Sequence, residues 1–497
     1  MKFIVIGGGL TGTLACGLLK KYIPRSEVIN VRSKNLPTIG VGESTTPFFI
    51  KGLTDLGVLT DLLEQDFISP KYGLKFINWH SKDLFNCWIL NNFQCETINY
   101  LYGLSKNKFL GRIDNRIEEQ LIPYDKINSK FFTPVALHID ANKTAEFIFN
   151  KIADRFITIY GSVISSEVSE KGISSIKLDT GQELSGDIYI DCSGFSRVLI
   201  KKLASNFYKS TLPVNSAIFQ EAKTNIEKVD LLTSAIACKA GWVWNIPFKT
   251  RGSGIGYVFN NAFISKEDAV LELSAIKNTN PDNSNYMTFE GGWYKDSYSK
   301  NVVSFGVASG FLDALDASTI HVTLLQIYDF ISNINNHADY NKKVVDLYNH
   351  FYRYLTLYYK TCIRQEDYWK SISSLSEQEL LDEFISLYRK PFYNKNNIIA
   401  ESDSSGFTRS FLSRIITNRI NIDNKIIYKI LRQVPTNIIA DNIKIFNKTN
   451  KLYEPYTRNL FKQHVINNSE SNYNWYSGNH QKEDLLRYGD NSFKELR

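Results

Sequence analysis

Three groups of residues in this sequence have types and spacings suited to chemistry. Gly7, Gly9 and Gly12 stand at GxGxxG spacing, directly after the apolar run Lys2 to Ile6 and before the small-residue run Ala15, Cys16, Gly17, Leu18 and Leu19. The first glycine permits a tight turn, the second lets backbone N–H groups approach a pyrophosphate, and the third lets helix and strand pack closely. The helix N-terminus that follows is an anion site, which adds Leu10 and Thr11 to the expected dinucleotide contacts. Trp242 and Trp244 form the second group, within AGWVWNIP. Two indoles two residues apart on a strand point the same way and make a bulky apolar wall. His138 and Asp140 form the third, an acid/base pair by type. Their place between a strand and a helix favours a role in starting the helix.

These groups need an α/β scaffold. The strand Lys2 to Ile6 and the helix after it begin a Rossmann-like unit whose second strand, Glu27 to Arg32, ends on arginine. That position is where the fingerprint expects an acidic residue for the adenosine ribose. Arg32 leaves three readings open: a 2′-phosphate contact, an adenine contact, or a side chain facing water. A second glycine turn follows, Gly40-Val41-Gly42-Glu43-Ser44-Thr45-Thr46-Pro47. Further on, Ile50 to Leu63 has helical apolar spacing, and the alternation from Ser69 to Asn78 suggests a strand. Ala136 to Ile152 reads as strand then helix, and FITIYGSVISSEV with ISSIKLDTG reads as a β-meander. Val344, Leu347, Tyr348, Phe351, Leu355 and Tyr358 fall at helical spacing with a wide aromatic stripe, the usual sign of a core face. Ser376 and Glu379 make a capping box that opens another helix through Leu387.

Composition bounds the function classes. The 497 residues are 43% apolar and 22% charged, a globular profile with room for two or three domains. A net charge of +7 without a dense basic block does not point to nucleic acid. No apolar run reaches the ~20 residues of a membrane span. Glycines interrupt the signal-like N-terminus, and the six cysteines lack metal or CxxC spacing, so a cytoplasmic protein with reduced thiols and no bound metal is expected.

GxGxxG followed by GVGEST.P, the lysine-containing SPKYGLKFINW, DIYIDCSG and WVWNIP together resemble the flavin-dependent halogenases of the tryptophan halogenase family. The resemblance covers roughly the first 390 residues. It implies an α/β FAD-binding monooxygenase/halogenase fold over residues 1–330, with substrate-region insertions at about 80–135 and 200–300. A mostly helical subdomain over 331–497 would cover the substrate.

By this resemblance Gly7, Gly9, Leu10, Thr11, Gly12, Arg32, Gly40, Val41, Gly42, Glu43, Ser44 and Asp313 contact FAD. Lys71 is the catalytic lysine. In the segment Ala314 to Thr319 the family's catalytic glutamate is Asp316, while Ser318 and Thr319 stand at the halide, with Thr319 in place of a glycine. Trp242, Trp244, Ile246 and Pro247 separate flavin from organic substrate. The expected reaction uses FADH2 from a separate flavin reductase, O2 and chloride, bromide or iodide. Hypohalous acid then passes to Lys71 and halogenates an electron-rich aromatic small molecule. The shorter carboxylate at 316 leads us to expect bromide or iodide over chloride. An aromatic hydroxylase and a non-catalytic flavin-binding scaffold are the alternatives. The free or carrier-bound state of the substrate and any homo-oligomer stay open.

Overall fold

In the computed structural model the described residues are 1–33, 43–71, 73–81, 84–87, 136–222, 232–248, 252–387 and 412. Gly40, Val41 and Gly42, most of the expected insertion at 80–135, and the chain after 387 apart from Leu412 lie outside them.

The β-branched runs Lys2–Ile6 and Glu27–Arg32 pair in parallel at the centre of a six-stranded sheet. Its order is Tyr298–Ser299, Val302–Ser304, Ile188–Asp191, Lys2–Ile6, Glu27–Arg32 and Ile157–Tyr160. All neighbours in this sheet are parallel except the first pair. The run from Phe156 to Val168 therefore divides. Ile157–Tyr160 joins the parallel sheet, and only Val163–Ser169, Gly172–Leu178 and Glu183–Leu184 form the antiparallel meander. The helix Leu10–Tyr22 buries Leu14, Ala15, Leu18 and Leu19 completely against this sheet's core.

A second sheet of seven strands runs Asn285–Thr288, Ser216–Ala222, Gly252–Phe259, Gly241–Phe248, Leu232–Cys238, Gly73–Ile77 and Leu84–Cys87. A third, small sheet consists of Glu43–Ser44, Ala136–Ile139 and Ile68–Lys71 and packs on the strand Gly241–Phe248 of the large one. The expected single strand from Ser69 to Asn78 is thus two strands. Ile68–Lys71 belongs to the small sheet and Gly73–Ile77 to the large one, so Lys71 sits where the chain passes between sheets. Likewise the helical run from Ile50 to Leu63 breaks at Gly57, whose φ of 73° suits glycine and caps Phe48–Leu56 before Leu59–Leu62 begins.

The long helix His337–Thr361 buries Val344, Tyr348, Phe351, Leu355 and Tyr358, as its aromatic stripe implied. Ser376 Oγ and Glu379 close the capping box at the start of Glu377–Leu387. Among the described residues no helix is long and apolar enough to cross a membrane.

Candidate active site

A cavity of about 910 Å³ opens at the carboxyl ends of the parallel strands and reaches the large sheet. It falls in the ~300–1,000 Å³ range of ligand sites. Gly7, Gly9, Leu10 and Thr11 line one end. A Cβ on Gly7, which has φ 129°, would lie 2.4 Å from the Cys192 carbonyl oxygen; one on Gly12 would lie 2.1 Å from that of Gly7. Side chains are therefore excluded from this turn. Gly9 caps the helix Leu10–Tyr22 without a side-chain hydrogen bond, so the first-turn amides are left to an anion. Volume, glycine cradle and first-turn amides without an acceptor among the described residues fit the pyrophosphate of a dinucleotide cofactor.

Arg32 lines the same end, but it does not face water. It is buried, with its guanidinium 3.7 Å from the centre of the Phe149 ring. Its Nη1 donates to Thr13 Oγ1 at 3.2 Å and to Asn30 Oδ1 at 3.4 Å, and Glu146 pairs with Nη2 at 3.6 Å. This overturns the water-facing reading. Ring, hydroxyl and carboxylate fix the guanidinium in place at the cavity edge.

Glu43 and Ser44 line the cavity from the small sheet. Burial raises the Glu43 carboxyl to about 7. Ser44 Oγ lies 2.9 Å from Thr233 Oγ1, which lies 2.8 Å from His138 Nε2. His138 is buried, and burial together with nearby Lys71 pushes its pKa well below the ordinary value, which keeps it neutral. Asp140 acts as a helix cap, its Oδ1 accepting from the amides of Asn142 and Lys143. The structural reading of that pair holds for Asp140, while His138 joins the site through Thr233.

Trp242 and Trp244 project from the strand Gly241–Phe248 into the cavity wall together with Ile246. The ring centres are 6.2 Å apart. The wall depends on a glycine across the sheet: Gly256 pairs with Trp244, and a Cβ there would lie 2.1 Å from the indole. Trp242 Nε1 donates to the Tyr359 hydroxyl at 3.1 Å, and that hydroxyl donates to Asp313 Oδ2. Asp313 is fully buried, its carboxyl raised by burial to about 6, and it does not reach the cavity lining. The Pro247 carbonyl accepts from Ser69 Oγ at 3.2 Å, which ties the tryptophan strand to the strand carrying Lys71.

Lys71 is fully buried; its Nζ donates to the Thr45 carbonyl at 2.9 Å. Burial lowers its amine to about 7, while the charge of Asp316 opposes that drop. Asp316 borders the cavity, and burial raises its carboxyl against the pull of Lys71 and two tyrosine hydroxyls. The fold thus brings together two groups 245 positions apart in sequence. Asp316 and Ala317 have φ of 61° and 56°, two successive left-handed non-glycine residues immediately before the helix Ser318–Ser332. Thr319 lines the cavity in the first turn of that helix, whose Ala317 cap supplies no side-chain bond. Ser318 is buried, with its Oγ 3.5 Å from the Leu315 carbonyl.

The sequence reading missed Tyr354 and Tyr358, whose hydroxyls both donate to Asp316 Oδ2, and Thr233, which links Ser44 to His138. The tyrosines carried a signal, since Tyr358 belongs to the aromatic stripe and Tyr354 stands one turn before it, but such a stripe reads as core.

Residues 2–417 match the tryptophan halogenase family. A tryptophan 6-halogenase of Streptomyces albogriseolus is 27% identical over 384 residues, covering 70% of this chain and 72% of that protein. In fold, the chain is similar to the crystal structure of a tryptophan halogenase from Shewanella frigidimarina, with a TM-score of 0.76 at 20% identity over 94% of this chain and 98% of that one. It is also similar to a flavin-dependent halogenase from Xanthomonas campestris, with a TM-score of 0.71 at 20% identity over 89% and 96%. With the glycine cradle, the indole wall and Asp316 lining one cavity, and Lys71 buried near Asp316, the chain belongs to the tryptophan halogenase family and is an enzyme of the flavin-dependent halogenase class.

Proposed function

We propose that this enzyme halogenates an electron-rich aromatic small molecule, using hypohalous acid that Lys71 receives and Asp316 orients. The observation that carries the reading is the fully buried Lys71 close enough to feel the charge of Asp316, which lines the same cavity as the glycine turn and the two indoles. Reduced FAD, delivered by a separate flavin reductase in a reducing cytoplasm, would supply the oxygen activation that oxidises halide to hypohalous acid.

The turn at Gly7 to Thr11 would hold the pyrophosphate, with Arg32, Glu43 and Ser44 beside it. The first-turn amides at Ser318 and Thr319 offer positive charge to a halide. Trp242, Trp244 and Ile246 block organic substrate from the flavin end while leaving room for small ions and acids. Asp313 stands one step back in this reading, steadying Trp242 through Tyr359 rather than touching the cofactor.

At Lys71 an amine near 7 is present both as ammonium, which donates to hypohalous acid, and as free amine, which can carry the halogen. Either form passes an electrophilic halogen to the ring, and the displaced ring proton leaves to the Asp316 carboxylate. Hypohalous acid and arene thereby become halogenated arene and water. The helical region after residue 330 would close the substrate side.

The test is mass spectrometry of an indole or phenol mixture incubated with FADH2, oxygen and bromide. A bromine mass shift supports the reading; an oxygen shift would make the enzyme a hydroxylase, and no product would make the fold a flavin-binding scaffold.

A further inference from the structure

Resting on the function proposed above, we infer that Tyr354 and Tyr358 are positioning residues, whose paired hydroxyls hold the Asp316 carboxylate ionised and aimed at Lys71. Both lie on the helix His337–Thr361 one turn apart, so their side chains meet on one face. Both rings are buried, and their hydroxyls are 2.7 Å apart. The Tyr354 hydroxyl donates to Asp316 Oδ2, and the Tyr358 hydroxyl reaches the same oxygen at 3.3 Å. The Tyr358 ring is itself fixed, stacked on Phe76 at 4.8 Å. Both tyrosine hydroxyls thus fall on one carboxylate oxygen, Oδ2.

Two further features give this clamp a purpose. Asp316 and Ala317 sit in consecutive left-handed conformations that L residues disfavour, and such a turn persists only where its surroundings over-determine it. Hydrogen bonds from a neighbouring helix to the side chain of the first residue do that. In addition, a carboxylate buried this deeply tends to take up a proton, which would cancel its pull on Lys71. Two hydroxyl donors favour the charged form, as does the ammonium. Among the described residues the groups facing Asp316 are Lys71 from the strand Ile68–Lys71 and the two tyrosines from the long helix; Lys71 in turn faces His138 from the strand Ala136–Ile139.

The variants Tyr354→Phe, Tyr358→Phe and the double variant keep the rings and remove the hydroxyls. In bromination of indole with FADH2, oxygen and bromide, each single variant should lose roughly tenfold in kcat near neutral pH, as expected for a lost charged hydrogen bond. KM for indole should stay within about twofold. The acidic limb of the kcat–pH profile should move to higher pH. Infrared spectroscopy of the full chain, with Asp316→Asn identifying the band, should show the protonated Asp316 carboxyl persisting to higher pH in each variant. A pH limb and an infrared titration unchanged from wild type would overturn the inference, even if kcat fell, because packing alone would then explain the loss. If wild type yields no brominated indole, the functional reading fails, and the infrared titration still decides the role of the tyrosines.

Discussion

Replacing Lys71 with methionine should stabilise the protein at neutral pH while removing its chemistry. The unfolded chain keeps the lysine proton up to its ordinary value of 10.5, whereas burial makes the folded chain release it near 7. Between those values the unfolded state binds more protons, so this group's contribution to stability improves as pH rises and its cost is greatest below about 7. At about 1.4 kcal/mol per pKa unit, burying the amine costs roughly 4 kcal/mol at pH 7 and almost nothing above about pH 10.5. Two losses offset the gain on substitution. The Thr45 carbonyl, held by Nζ at 2.9 Å, loses its donor, and Asp316 loses its cation. These together cost about 2 kcal/mol. Methionine is of similar length and fills the space, so Lys71→Met should gain a net ~2 kcal/mol near pH 7. Urea denaturation of both proteins, followed from about pH 6.5 to about pH 9.5, reads this directly. The variant's advantage should shrink steadily as pH rises. A less stable variant near pH 7, or an advantage that does not change with pH, would show that the buried amine of Lys71 does not carry this cost.

Other substitutions probe the remaining parts. Gly12→Ala places a Cβ 2.1 Å from the Gly7 carbonyl oxygen, so the variant should lose FAD binding, read as loss of flavin fluorescence quenching. Trp244→Ala should leave FAD binding intact but lower the yield of product per FADH2 consumed at least severalfold, and unchanged coupling would count against the indole wall. In competition at equal halide concentrations, with product from free hypohalous acid subtracted, wild type should favour bromide over chloride. Asp316→Glu, which extends the carboxyl by about 1.5 Å toward the tyrosine pair, should change that ratio; a chloride preference or an unmoved ratio contradicts the geometric argument.

The cofactor end was legible because its chemistry is written in adjacent residues. A tight turn requires glycine at 7 and 12, and the apolar and small-residue runs on either side reveal strand and helix. Trp242 and Trp244 could be placed on one face from their spacing alone. Pairing between distant segments was not legible in this way. Ile157–Tyr160 takes its parallel partner from Glu27–Arg32, over a hundred residues away, so local alternation read it into the meander that follows. The hydrophobic spacing of Ile50 to Leu63 continues through Gly57, and only the backbone turn there reveals the break. Lys71 and Asp316 were named from motifs, yet nothing in either segment announces that two tyrosines meet the carboxylate. Their stripe looks the same whether its hydroxyls lie in a core or at a site. Arg32 stayed ambiguous because its partners, Phe149, Thr13 and Glu146, come from two different helices.

If oxidant forms at one end of the cavity and is used at Lys71, the two events can be separated by following oxygen consumption and brominated indole together in wild type and Lys71→Ala, each supplied with FADH2 and bromide. The variant should consume oxygen at nearly the wild-type rate while its brominated product falls to the level given by free hypohalous acid alone. Brominated product well above that level in Lys71→Ala would contradict use of the oxidant at Lys71.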